Sequence, residues 1–178
     1  MSGATGEPIA SGRPKASFVV ITYNHVGMIG RCLDGFLAQD VDFPVEMIVH
    51  DDASTDGTVE VLRQYERHHP GRFTLLLQEK NGASAGAAMS RALTAANGEY
   101  VLFCDGDDHW NDPAKARTQV EFLDANPELQ FCFHAVHRYL PDGTHVSDGD
   151  ATDFYHDWTS EEVAQSATVF IPQQAIAF

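Results

Sequence analysis

Basic residues are scarce in this chain: 11 lysines and arginines stand against 26 aspartates and glutamates, a formal net charge of −15 over 178 residues. A surface that acidic repels nucleic-acid phosphates and anionic lipids, which excludes polyanion binding as a main role. Long apolar runs are missing too. The longest, Phe18–Ile21 and Tyr100–Cys104, fall far short of the roughly 20 residues a membrane-spanning helix needs, so no transmembrane segment is expected. Cysteine is rare, with three copies (Cys32, Cys104, Cys132) and no Cys-x-x-Cys spacing. That usage fits buried, reduced thiols in a cytoplasmic protein better than a disulfide framework. Residues 1–16 lack an apolar segment and are rich in Ser, Gly, Ala and Pro, so they read as a flexible N-terminal tail.

What the chain does have is alternation. Ser17–Thr22 is a continuous β-branched and aromatic run, as expected for a strand buried on both faces. Met28, Ile29, Cys32, Leu33, Phe36 and Leu37 then trace one helical stripe. Val45–His50 is a second strand and Asp51–Gly57 a loop, with Thr58 as the expected N-cap of a second helix. Phe73–Gln78 is a third strand, the Ala-rich stretch Ala85–Ala96 a third helix, and Tyr100–Cys104 a fourth strand. Pro113 opens another helix, followed by a longer strand over Leu129–Leu140 and a turn at Pro141–Thr144. Thr159–Glu162 has the spacing of a capping box, and Thr168–Phe178 reads as extended. Repeated strand–helix–strand units predict an α/β fold, a mainly parallel sheet flanked by helices.

In such a sheet ligands bind beyond the carboxyl ends of the strands. Three polar clusters gather there: Tyr23-Asn24, Asp51-Asp52 and Asp105–Asp108. The carboxylates of Asp105, Asp107 and Asp108 would repel one another in so tight a space. A hard divalent cation resolves the conflict, taking one or two carboxylates and completing its shell with phosphate and water. An acidic turn that caps the following helix has the same composition, so this cluster alone does not separate the two. Asp51–Gly57 offers carboxylates and hydroxyls that can accept a base N–H and ribose hydroxyls; an Asx-turn has the same composition. Tyr23 can stack on a base, and Asn24 can cap the next helix.

Taken together, Phe18–Asn24, Glu46–Gly57, Gly98–Asp108 and Trp110-x-x-Pro113 resemble the inverting family 2 of nucleotide-sugar glycosyltransferases, over Ser17 to about Tyr139. The resemblance implies the GT-A fold, a Rossmann-like arrangement that binds a nucleoside-diphosphate sugar of UDP, GDP or dTDP type. It further implies a Mn²⁺ or Mg²⁺ cofactor and a saccharide, lipid-linked or small-molecule acceptor. It places Tyr23 at the base pocket and Asp52 on the base, with Asp51 and Asp56 supporting the loop. Asp107 becomes the direct metal ligand, while Asp105 faces ribose or metal-bound water. Asp108 orients that shell or faces the sugar, and Trp110 borders the donor-sugar or acceptor pocket. Residues 17–140 would form the nucleotide-sugar-binding domain, with 141–178 the start of an incomplete acceptor-side region.

Two departures stand out. The family draws its general base from a later acceptor-side segment, and Asp153 and Asp157 do not match that position. The base is therefore unassigned. A donor-binding module without turnover, or a fragment of a longer enzyme, is the alternative reading; an aspartyl-phosphate enzyme is a third. Relatives also place an Arg-Asn pair where Met89-Ser90 stands, and Arg91, two positions on, is expected to point elsewhere. Cys132, His134 and His137 do not make a zinc site, because a strand turns His137 to the opposite face and no fourth ligand follows.

Overall fold

The structure is a computed structural model that describes residues 12–82, 85–133, 136–139 and 145–148. Four strands form one parallel sheet: β1 (Ala16–Thr22), β2 (Val45–Asp51), β3 (Phe73–Leu77) and β4 (Tyr100–Asp105). Their order is β3-β2-β1-β4. β1 is central, pairing Val19 with Ile48 on one side and with Phe103 on the other. Both faces of the strand are covered, which is why Phe18, Val19 and Val20 are all fully buried.

Helices α1 (Ile29–Leu37), α2 (Thr58–His68) and α4 (Lys115–Ala125) cover one face; α3 (Ala85–Ala95) covers the other. The stripe foreseen in α1 is real: Ile29, Cys32, Leu33 and Phe36 are buried. Phe36 meets Phe18 and Trp110 with ring centroids 5.6 and 4.5 Å apart, an aromatic cluster at the centre of the larger core. On the opposite face Ala92 packs against Val19, Ile48 and Phe103. Small alanines let α3 lie close to the sheet. Tyr65 ties α2 to α1 by donating to the Gly30 carbonyl and to Asp34.

The chain runs outward from β1 through β2 to β3, then returns to the far side of β1 for β4. The order therefore reverses between β1 and β4. That reversal opens a crevice at the carboxyl ends of these two strands, where open α/β sheets take their ligands.

The structure revises several sequence expectations. The tail is shorter than 16 residues: Lys15 and Ala16 donate to the Pro44 carbonyl, and Arg13 donates to the carbonyls of Asn97 and Gly98. Thr58 is the first residue of α2 and not its cap. The cap position is Gly57, at φ 104°, and the Asp56 carboxylate accepts the Thr58 amide. The long strand over 129–140 is absent as such. β5 (Val136–Tyr139) pairs antiparallel with β6 (His145–Asp148), while Leu129 and Cys132 pack against the main core. The turn at 141–144, the capping box at 159–162, the extended stretch 168–178, His134, Asp153 and Asp157 lie outside the described residues.

Cys32, Cys104 and Cys132 are free thiols, as expected. Among the described residues, no helix is long and apolar enough to cross a membrane.

Candidate functional site

Four loops meet at the carboxyl rim of the sheet, and hydrogen bonds lock the first two together. The Asn24 amide donates to Ser54 Oγ at 2.8 Å, and the Thr55 amide donates back to Asn24 Oδ1 at 2.8 Å. The Val26 amide reaches Asp56 Oδ2 at 3.0 Å, and the His25 amide reaches Thr58 Oγ1 at 2.9 Å. Asp51, fully buried, accepts both the amide and the hydroxyl of Ser54. Asn24 therefore does not cap α1, whose N-cap, Met28, carries no side-chain bond. It holds a left-handed backbone at φ 57°, which asparagine tolerates, and so does Ala53 at φ 64°. For an alanine that conformation costs about 1–2 kcal/mol, offset here by the web of bonds around it.

Asp51 and Asp56 thus spend their carboxylates inside the loops. Desolvation works to raise the Asp56 pKa, but the bonds from Thr58 and the Val26 amide outweigh it and hold the group below the ordinary carboxylate value. Asp52 is positioned differently. Its amide bonds the Thr22 carbonyl, and its Oδ1 accepts the Gly82 amide at 2.8 Å, so β1 and the loop after β3 both fix it. Tyr23 follows Thr22, to which Asp52 is bonded, and is 44% exposed, open to a stacking partner.

Arg91 corrects the sequence reading. Its Nη1 lies 3.4 Å from where a Cβ on Gly82 would stand, and Asp52 Oδ1 lies 3.0 Å from the same point. The guanidinium therefore reaches back to the rim, where with residues 77–82 it lines a cavity of about 550 Å³. α3 runs antiparallel to the strands it covers, so residues early or midway along it can reach the strand ends with a long side chain. Beneath lies His50, fully buried, with neither ring nitrogen partnered among the described residues. Burial lowers its pKa, Asp52 and Asp51 act against that, and Arg91 adds to it.

The fourth loop follows β4. The Gly106 amide continues the ladder to the Ile21 carbonyl at 2.9 Å, and Asp108 turns back onto the Asp105 carbonyl at 3.0 Å. Asp107 is exposed; Asp105 and Asp108 are half-buried. Gly106 is flush against β1, since a Cβ there would stand 2.6 Å from Thr22 Oγ1 and 2.9 Å from His25 Nδ1. Among the described residues no group of three or more His, Cys, Asp or Glu could hold a metal ion by itself. Next door, Arg31 donates to His109 Nε2 at 3.0 Å, and burial followed by the Arg31 charge lowers the His109 pKa.

Trp110 is a second correction. It does not border the rim pocket: its ring is 6% exposed, between Phe18 and Phe36, with Lys115 Nζ 4.0 Å from the ring centroid. The apolar face of the sheet claims it because α1 and the 109–112 segment touch at Gly35, leaving the indole nowhere to go but inward.

The comparisons with known proteins give the family. The family model described as "Glycosyl transferase family 2" matches residues 17–164. The chain belongs to glycosyl transferase family 2. The uncharacterized protein Rv1520 of Mycobacterium tuberculosis is 43% identical over 132 residues, covering 74% of this chain and 38% of that one. The mannosyltransferase PcManGT from Pyrobaculum calidifontis, solved with GDP-Man and Mn²⁺, superposes with a TM-score of 0.62 at 32% identity, covering 74% of this chain and 38% of that one. S. aureus TarS 1-349, solved with UDP-GlcNAc, gives 0.56 at 32% identity over 64% of this chain and 32% of that one. The family 2 chain thus spans well under half the length of these relatives.

Lys115 of this family 2 domain carries an expected result of its own. Burial lowers its pKa from 10.5 to about 8, and the Cys104 and Cys132 sulfurs restore only part of that. Its proton is held more weakly folded than unfolded, so stability is lost as pH falls from 10.5 to about 8 and stays lower below that. Lys115→Met should therefore stabilise the domain at pH 7 by roughly 1–3 kcal/mol, with the gain shrinking toward pH 10. Urea unfolding at the two pH values checks it; a destabilised variant at pH 7 refutes it.

Proposed function

We propose that the chain is the donor-binding part of a metal-dependent, inverting glycosyltransferase that takes a nucleoside-diphosphate sugar. The observation that carries this reading is the convergence of Asp52 and Arg91 at one end of the rim with Asp105 and Asp107 at the other, across the β1/β4 reversal. Asp52 accepts and Arg91 donates, which suits a base edge that presents an N–H beside a carbonyl, as uracil and guanine do. Those are the bases of the UDP-GlcNAc and GDP-Man held by the two structural neighbours. Tyr23 closes over the base face, and the rigid Asp51–Thr58 loop keeps Asp52 from relaxing away when it is desolvated.

The donor set fits a hard cation. Asp107 and Asp105 are oxygen ligands on one loop, short of a full cage, and Mg²⁺ or Mn²⁺ needs one or two carboxylates with phosphates to complete the shell. When bound, the cation would neutralise the diphosphate and stabilise it as a leaving group. The residues of this chain hold the base and ribose, orient the diphosphate over Gly106 and leave the anomeric carbon open to an acceptor hydroxyl. Proton removal from that hydroxyl is left without an assigned residue.

The test is calorimetric titration of UDP and GDP with and without Mn²⁺, set beside a donor-hydrolysis assay. Binding that requires Mn²⁺ supports the reading, and binding without turnover assigns the chain to donor capture alone. Asp52→Ala should weaken the nucleotide about tenfold to a hundredfold even with Mn²⁺ present, because the base loses a charged acceptor. Equal affinity for parent and variant overturns the base assignment.

A further inference from the structure

At the floor of the β1/β4 crevice lies His25, a residue that the motif reading passes over. Its backbone is tied on both sides: the amide donates to Thr58 Oγ1, and the carbonyl accepts the amides of Met28 and Ile29 at the start of α1. The ring is held too. Nδ1 is 3.1 Å from Thr22 Oγ1 and packs against Gly106, the residue between Asp105 and Asp107.

The tautomer follows from counting protons. Thr22 is 3% exposed, and among the described residues His25 Nδ1 is the partner of its hydroxyl. A buried hydroxyl proton needs an acceptor, so the hydroxyl donates and Nδ1 accepts. The ring proton is then on Nε2. The two imidazole nitrogens diverge, so pressing Nδ1 against the crevice floor turns Nε2–H toward the open side. The ring is half-buried, and its hydrogen bond to Thr22 is made through Nδ1.

Resting on the donor-binding reading above, we infer that His25 Nε2–H donates a hydrogen bond to a non-bridging oxygen of the donor's diphosphate. Carboxylates dominate this rim, and a fixed donor between them is directed at an anion that lies over Gly106. A donor held in a preset orientation also costs little reorganisation when the diphosphate arrives. Arg91 is committed to the base end and Arg31 to His109, while His25 is a donor beside the Asp105–Asp107 turn that the fold itself orients.

Two variants separate this role from a structural one. His25→Asn keeps a polar atom where Nδ1 stands, facing Thr22, and removes the distal donor. His25→Gln places an amide N–H where Nε2–H stands. With the full chain and Mn²⁺, His25→Asn should bind UDP and GDP about 10–100-fold more weakly while its affinity for uridine and guanosine stays within about twofold. His25→Gln should recover most of the diphosphate affinity. Unchanged diphosphate binding by His25→Asn overturns the inference, and so does an equal loss of nucleoside and diphosphate in both variants. If the parent binds neither diphosphate, the donor-binding reading fails and this contact fails with it; a parent that binds beside an unaffected His25→Asn sinks the contact alone.

Discussion

Asp107→Ala should remove the metal-dependent part of nucleotide binding, a loss of roughly 100-fold or more in affinity for UDP or GDP with Mn²⁺. The size follows from position. Asp107 is the exposed carboxylate of the turn after β4, while Asp105 and Asp108 are half-buried beside it. Among the described residues no group of three or more His, Cys, Asp or Glu could hold a metal ion by itself, so a cation bound at this turn would have few protein ligands and the loss of the outermost one would not be compensated. Without that cation an acidic rim meets a diphosphate head-on and the encounter is repulsive. The fold should not notice, since exposed substitutions of this kind change stability by about 0.5 kcal/mol or less. Titration in Mn²⁺ and again in EDTA gives the decision: the variant in Mn²⁺ should match the parent in EDTA. A variant that still gains affinity from Mn²⁺ places the metal elsewhere.

Much of the fold was legible in the sequence because period and punctuation carry it. Strands buried on both faces show as unbroken β-branched runs, and each was bounded by Asp, Asn or Gly where a parallel sheet puts its loops. Hence β1 to β4 lie within a residue or two of their expected limits, and the three polar clusters do share one edge. What stayed hidden depends on packing. Nothing in the local pattern says that Trp110 turns inward, because that follows from Gly35 bringing α1 within contact of the Trp110 backbone. Arg91 was misjudged for a similar reason: helical periodicity gives the direction of a Cβ, not the reach of an arginine across a sheet made accessible by alanines. His25 carried no motif signal at all, since its placement needs β1 and β4 to be neighbours.

The largest expected loss of stability lies at the opposite end of the strands, at Gly98. A Cβ on this residue would stand 2.5 Å from the Ser17 amide nitrogen and 2.7 Å from the Ala16 carbonyl carbon, both backbone of the central strand. No rotamer can relieve contact with backbone, so β4 must back away from β1. That movement also breaks a part-buried polar cluster. Glu46 Oε1 accepts from Ser17 Oγ at 2.6 Å and from the Asn97 amide at 2.6 Å, while the Gly98 amide donates to Ser17 Oγ at 2.8 Å. Overpacking and orphaned polar groups together put Gly98→Ala at about 3–5 kcal/mol, a Tm lower by roughly 10 °C for a chain of this size. Gly27→Ala is the control, with nothing within 4 Å of its Cβ position, and should leave Tm nearly unchanged. Because β4 is six residues long, the damage starts a full strand away from Asp105. At a temperature where the variant is still folded, Mn²⁺-dependent nucleotide affinity should therefore match the parent's. A Gly98→Ala protein that melts with the parent would mean that β1 and β4 are not packed this closely, and the crevice their ends define would lose its basis.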